Sequence, residues 1–414
     1  MPLYFILLWC SIYVCGLVIG SSTDGVHVIP LKSYRASSIP ASVASKLITE
    51  ETAEGGEEPS EVDNSIPSLP ADTYGSGSSK INSFKDVLWY TTITIGTGEG
   101  QQQLTVDVDT GSADLFIPGS MCGASCNGHN TYDPTKSATS EESINSFGLS
   151  FADESYVNGT VYRDTVSLGG LVVEKQAFGV ATVYSQQMKK DTFAPDGLFG
   201  LGFASLSHIG MTPLLDNLYN QRKIKARIFG IRLDRSGADG EQGELTLGGY
   251  NEQHVQGKIV YAPVTDAKFW QIELDYVSVG KRLLASRQKF VVDTGSTLIN
   301  ANEVFVKNLY SSIPGARRLA NSKYWTVPKA KIPVLVLTIG GTQFTIDPSN
   351  FCTGPDNDSA DGTDRCYGGI VADVEPNAPW IVGGIFLKNV YSIFDMDQKR
   401  IGFSQLKNIQ PTDQ

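Results

Sequence analysis

Two carboxylates in near-identical short settings are the residues of this sequence best placed to do chemistry. Asp109 lies in "VDVDTGSADLF", Val106 to Phe116, and Asp293 in "VVDTGSTLI", Val291 to Ile299, 184 positions further on. Each time an apolar or β-branched run leads into Asp-Thr-Gly-Ser. On a tight turn Gly111 lets the backbone come close and can supply an N–H to a carboxylate oxygen, and the Ser112 hydroxyl can donate to the same group. Thr110 can turn its hydroxyl toward the other half of the chain and hold the turn rigid. Thr294, Gly295 and Ser296 repeat the set beside Asp293. If the two carboxylates converge, they cannot both ionise cheaply, and like charges roughly 3 Å apart share one proton. One Asp is then a base and the other an acid. A water between them attacks a peptide carbonyl as it is deprotonated, and the second Asp protonates or stabilises the oxyanion. That chemistry needs no metal, no cofactor and no covalent intermediate. A single Asp-Thr-Gly-Ser reads as an Asp-Gly hairpin turn. Here each copy is followed by its own apolar-apolar-Gly segment, "DGLFGLGF" from Asp196 and "PWIVGGIFLKNVYSIFD" from Pro379. The period is too long for a solenoid. Two facing copies of one unit would bring the carboxylates together near a two-fold axis.

The elements that must position them are mostly strands. Val, Ile, Thr, Tyr and Phe recur in short runs broken by Gly, Asn, Asp and Pro, as in "LWYTTITIG", "QQLTVDVDTG" and "VNGTVYRDTVSLGG". Helix is expected only at "SHIGMTPLLDNLYNQRKI" and "NEVFVKNLYSSI". A chain of 414 residues has room for two medium domains with sizeable cores. A net charge of −11 argues against a nucleic-acid partner, and 4 His without a His/Cys cluster argue against a zinc enzyme.

The first residues, "MPLYFILLWCSIYVCGLVIG", form an apolar stretch followed by small residues, so 1–21 reads as a signal peptide, with an uncleaved anchor as the alternative. Residues 22–75 are acidic, rich in Ser, Pro and Gly, and carry a charge of −6, which reads as a prosegment. No second long apolar run follows, and the polar tail does not fit a lipid-anchor signal. Cys10 and Cys15 leave with the signal peptide. Cys122 and Cys126 sit in "CGASC", and Cys352 and Cys366 bracket a polar loop. Two local disulfides are the economical reading for an oxidising compartment, with four free thiols as the alternative. Sequons at Asn158 and Asn357 fit a secreted chain, although such triplets also arise by chance.

With these motifs in place, the chain resembles the pepsin-type aspartic proteases, nearest to the secreted fungal members, over about 88–406. "HNTYDPTKSAT", "DTVSLGG", "WIVGGIFLKNVYSIFD" and "KRIGFSQ" carry the likeness beyond the two Asp turns. The resemblance implies a mainly β, bilobal fold with a deep cleft between two related lobes, at 76–262 (with a flap) and 263–414. It implies catalytic Asp109 and Asp293 sharing a proton, and the bridges Cys122–Cys126 and Cys352–Cys366. It implies a monomeric, extracellular or vacuolar endopeptidase acting on peptides in acid, off the membrane once the signal is removed. A non-catalytic peptide binder on the same fold is the competing class, and two intact Asp-Thr-Gly motifs weigh against it.

The sequence also departs from the family. Phe116 stands where the family has Trp, and "FADES", Phe151 to Ser155, where its flap has Tyr-Gly-Asp/Thr-Gly-Ser. Losing both polar groups together leaves an apolar contact rather than a stranded hydrogen-bond partner. Ala152 and Glu154 replace flap glycines and resist positive φ. Gly384 stands where relatives often have Asp, which removes a carboxylate near the pair and favours a higher working pH. The acidic prosegment departs from the family's basic ones. By resemblance, Leu198 and Phe151 wall the pocket for the residue before the scissile bond, favouring large apolar side chains. Asp153 and Asp107 would let that pocket accept Lys, unless they face solvent or bond the flap backbone.

Overall fold

The computed structural model describes residues 77–84, 88–151, 153–233, 243–356 and 362–406. The expected signal peptide and prosegment, Cys10, Cys15, Ala152 and the sequon at Asn357 lie outside them.

The strands that carry the site come in two matching sets. In the first half these are β1 (Leu88–Ile95), β2 (Gln102–Asp109), β3 (Leu115–Pro118), β4 (Glu141–Ser150), β5 (Tyr156–Leu168), β6 (Leu171–Tyr184) and β7 (Gly197–Gly200). In the second half they are β8 (Arg282–Val292), β9 (Ile299–Asn302), β10 (Ile370–Val374) and β11 (Trp380–Val382). β2 runs parallel to β7, β3 antiparallel to β7, and β3 parallel to β6. β8, β11, β9 and β10 repeat those three pairings in the same senses. The duplication read from the two Asp motifs is therefore a duplication of strand topology.

Among the described residues the strands form sheets of 13, 7 and 4 strands. The largest holds the first half together with Val390–Asp395 and Arg400–Leu406, so the end of the chain returns to the first half. This is the mainly β, bilobal architecture expected.

Helices are few and short. The first expected helix contracts to α1, Leu214–Asn220. It is confined on its N-terminal side by Gly210 at φ 72° and by Pro213 at the cap, which has no N–H to extend a helix backward. α2, Glu303–Ser311, starts where the Asn302 side chain accepts the Phe305 N–H at 2.9 Å. Its buried Phe305, Val306, Leu309 and Tyr310 fall at helical spacing on one face.

The main core spans both halves. Trp270 packs against Phe203, Phe229 and Phe394 at centroid distances of 4.5, 5.7 and 5.1 Å, and its indole N–H reaches the Leu201 carbonyl at 3.0 Å. Burying each such ring stabilises by roughly 1.5–3 kcal/mol. A second apolar cluster under the β4–β5 hairpin gathers Phe116, Phe147, Phe151, Tyr184 and Leu198.

Candidate active site

Asp109 ends β2 and Asp293 directly follows β8. The apolar residues before each Asp seat the strand end: Val106, Val108 and Val292 are fully buried. Both carboxyls are at most 1% exposed.

Each carboxyl is held by its own turn. Gly111 N–H donates to Asp109 Oδ1 at 2.8 Å and Ser112 Oγ to Oδ2 at 2.5 Å. Gly295 N–H donates to Asp293 Oδ1 at 2.9 Å and Ser296 Oγ to Oδ2 at 2.6 Å. The two threonines lock the turns to each other. Thr110 Oγ1 donates to the Val292 carbonyl at 3.0 Å and accepts the Thr294 N–H at 3.0 Å. Thr294 Oγ1 donates to the Val108 carbonyl at 2.6 Å and accepts the Thr110 N–H at 3.1 Å. These four buried bonds relate the halves by a local two-fold.

The glycines are required for close approach. A methyl on Gly111 would lie 2.7 Å from Asp293 Oδ1, and one on Gly295 would collide with Asp109 Oδ1. Each turn thus presents its bare Cα to the opposite carboxyl. Burial first, then the charge of Asp109 and a hydrogen bond with it, push the Asp293 carboxyl well above the usual range, against the Ser296 and Gly295 donors that pull it down. Asp293 is thus the carboxyl of the two that the surroundings favour in its protonated form.

Around the pair, Leu198 is opposite both Asp107 and Phe116 in register, so the three share one face of the sheet. Phe116 meets Phe151 of the flap at 6.0 Å between centroids, tilted by 46°. Tyr184 closes the other side of Phe116 edge-on at 6.1 Å. The expected apolar contact at the flap is present. The double substitution Phe116→Trp with Phe151→Tyr should show a coupling of about 0.5–1.5 kcal/mol in a kcat/KM cycle. Additive singles would show that the rings do not communicate.

The flap turn runs through Phe151 N–H to the Ser155 carbonyl at 2.8 Å. Glu154 takes φ 65° in spite of its side chain, at a cost of about 1–2 kcal/mol. Asp153 Oδ1 accepts both the N–H and the hydroxyl of Ser155, at 3.0 and 2.5 Å, so this acid braces the turn. Asp107 is wholly buried and does not face solvent. Asn158 is exposed on β5, opposite Gly148 and Val183. Cys122–Cys126 and Cys352–Cys366 are disulfides.

Three features escaped the reading of the sequence. Trp89, fully buried on β1, fills the space beside Gly384: a methyl there would lie 2.5 Å from its ring carbon Cζ3. The position offers no room for a side chain unless Trp89 moves. Asp196, immediately before β7, collects Thr105 N–H and Oγ1 at 2.9 Å, Asn130 N–H at 2.9 Å and Lys190 Nζ at 3.0 Å, with His129 Nδ1 at 3.8 Å. Burial opposes its charge, but the His129, Thr105, Lys190 and Asn130 contacts outweigh that and hold its carboxyl well below the usual range. Tyr184, besides packing on Phe116, donates its hydroxyl to the Asp196 carbonyl at 2.8 Å. No local pattern marks Tyr184 or Trp89: the burial along β6 does not alternate.

Residues 88–406 match the family model described as eukaryotic aspartyl protease. The chain is similar to an aspartic protease of Phaffia rhodozyma, 37% identical over 326 residues, which is 77% of this chain and 76% of that protein. It is similar to cathepsin E of Rattus norvegicus, 31% identical over 78% of this chain and 80% of that protein. Cathepsin D of Homo sapiens is 31% identical over 81% of this chain and 85% of that protein.

Proposed function

The chain belongs to the eukaryotic aspartyl proteases, the pepsin-like family, and from that premise we propose that Asp109 and Asp293 are its catalytic dyad. It is an aspartic endopeptidase, and its substrates are peptides or proteins. The observation that carries the dyad reading is reciprocity: two turns bonded to each other through Thr110 and Thr294, each with its glycine against the other's carboxyl.

In the proposed reaction Asp109 takes a proton from a water as its oxygen bonds to the peptide carbonyl carbon. Asp293, which carries the shared proton, gives it to the carbonyl oxygen. The tetrahedral intermediate then collapses: the C–N bond breaks, the leaving nitrogen takes up the proton held by Asp109, and one hydroxyl of the intermediate returns a proton to Asp293 as the new carboxyl forms. The net change is one water consumed and one peptide bond cleaved. Thr110 and Thr294 keep the two acids from separating, and Gly111, Ser112, Gly295 and Ser296 fix which oxygens face each other. The test is turnover of a denatured protein in acid, with inhibition by a statine-type transition-state mimic. Turnover that is indifferent to the inhibitor would remove the dyad reading.

The same reading takes 1–21 as a signal peptide, 22–75 as a prosegment and 262/263 as the lobe boundary. The mature enzyme is then a secreted or vacuolar monomer glycosylated at Asn158 and Asn357. Phe151, Leu198 and Phe116 wall the pocket for the residue before the scissile bond, which favours large apolar side chains. Lys is accepted there as well, its methylenes on the apolar wall and its ammonium toward Asp153, with the Asp107 carboxyl on the same sheet face as Leu198 and Phe116. In a peptide series varying only that residue, Asp153→Ser should lower the Lys-to-Phe ratio of kcat/KM roughly 5-fold. Equal cutting of Lys peptides by both proteins would assign Asp153 to the flap turn alone.

A further inference from the structure

The match between the halves extends seven residues past each catalytic Asp, where it brings two unlike side chains to one place. Phe116 follows Asp109 by seven and Asn300 follows Asp293 by seven. Phe116 is opposite Leu198 on β7 and Gly179 on β6; Asn300 is opposite Ile381 on β11 and Val371 on β10. Directly opposed residues of paired strands project to the same face. Ile381 is also opposite Val291, so Asn300, Ile381 and Val291 share a face. Val291 lies two residues before Asp293, and alternate residues of a strand point the same way. Asp107 stands at the same distance before Asp109 and shares a face with Leu198 and Phe116, so the two faces correspond. Asn300 takes in the second half the place that Phe116 takes beneath the flap in the first.

Asn300 is 1% exposed, and neither its amide oxygen nor its amide nitrogen has a hydrogen-bond partner. Its register neighbours Val291, Ile381 and Val371 are apolar and no more than 3% exposed. A buried primary amide with idle donors and acceptor costs about 1–3 kcal/mol, and most buried polar groups avoid that cost. An aliphatic side chain of similar volume would avoid it here. The nearest charge along the strand is already matched: Asp373, two residues beyond Val371 on β10, receives Lys323 Nζ at 2.6 Å. What the wall leaves unmet is an uncharged donor and acceptor.

We propose that Asn300 is a specificity-determining residue for the position after the scissile bond, taking an uncharged hydrogen-bonding side chain there: Gln, Asn, Thr or Ser. The inference rests on the Asp109–Asp293 reading. With Leu198 and Phe151 serving the residue before the bond, the local two-fold gives the residue after it to the Asp293 half. The two sides of the cleft then read opposite chemistry, apolar before the bond and polar after it. A substrate that supplies the missing bonds gains what an apolar side chain forfeits, and this discrimination is of the kind a site built to hydrogen-bond achieves.

The test is a peptide series varying only the residue after the scissile bond, cut by the protein after its prosegment has been removed. Wild type, Asn300→Leu, Asn300→Val and Asn300→Thr are compared. The Gln-to-Leu ratio of kcat/KM should fall about 10-fold or more in Asn300→Leu, and in Asn300→Val, which copies the size of its register neighbours. Both variants should cut the Leu peptide at least as well as wild type, and Asn300→Thr should keep most of the preference. A ratio unchanged in the apolar variants, with cleavage intact, overturns the role of Asn300 and leaves the dyad reading standing. Failure of wild type to cut any peptide in the series overturns the dyad reading and this inference with it.

Discussion

Asp109→Asn and Asp293→Asn are each expected to lower kcat/KM by at least roughly 10²–10⁴-fold, the range contributed by a positioned acid or base. An amide is close to a carboxyl in shape, so each substituted side chain can still accept the Gly N–H of its turn on its oxygen and donate its amide N–H to the Ser hydroxyl, which turns to accept it. The threonine bonds that join the halves end on the backbone of Val108 and Val292 and on each other's N–H groups, not on the carboxyls. The fold should therefore survive, and unchanged near-UV circular dichroism would show that it has. What an amide cannot do is trade a proton with its neighbour. Because the two groups act as a unit, the double variant should be little worse than either single one. Full turnover in either purified single variant would remove both residues from the chemistry.

The site was legible because its chemistry is confined to four-residue turns that occur twice. Asp, Thr, Gly and Ser each have one role that their type dictates, and a contiguous string carries all of them. The duplication of topology was legible for the same reason, since each copy brings its own apolar-apolar-Gly strand. Contacts between distant strands were less accessible. Trp89 meets Gly384 across nearly the whole chain, and nothing near either residue signals the other. Asp153 reads as a pocket acid by position, yet one of its oxygens is taken up by Ser155 two residues on. That is the habit of Asp in turns, and it competes with any role toward substrate. Glu154 shows the converse: its side chain opposes positive φ, and the hairpin imposes it through the Glu154 N–H bond to the Phe151 carbonyl at 3.0 Å. The second expected helix forms as read because its cap and apolar spacing are local. The first is shorter because Gly and Pro inside the stretch decide its start.

Replacing Asp293 by Asn should also make the protein more stable near neutral pH, by about 1 °C in Tm for each 1 kcal/mol that the buried charge costs. Burial and the neighbouring Asp109 raise the Asp293 carboxyl in the folded state above its ordinary value of 3.8. The folded protein thus binds that proton more tightly than the unfolded chain. The stability this brings is fully present below the unfolded value and is lost as pH rises through the folded one. The Asp293→Asn change removes that loss, because an amide has no charge to desolvate. The two melting curves should converge near pH 3.8 and below, where the unsubstituted carboxyl is protonated in both states. Asp114 is raised in the same direction by burial, against donors from Ser207, His208 and Ile209, but it is common to both proteins and cancels in the difference. His208 has the opposite sign. Burial lowers it from 6.5 to about 4, so its contribution is complete above the unfolded value and declines as pH falls toward about 4. Burial also opposes the charge of Glu244, but the His254 ring 3.4 Å away and hydrogen bonds from Asn251 and Thr246 outweigh that and lower it to about 2, so those contacts persist well into acid. The loss toward neutrality therefore comes from Asp293, whereas Glu244 and His208 act only toward acid. Thermal melts of both proteins across about pH 3 to 7.5 measure this directly. Curves that stay parallel over that span would mean that Asp293 carries no excess proton affinity in the folded state.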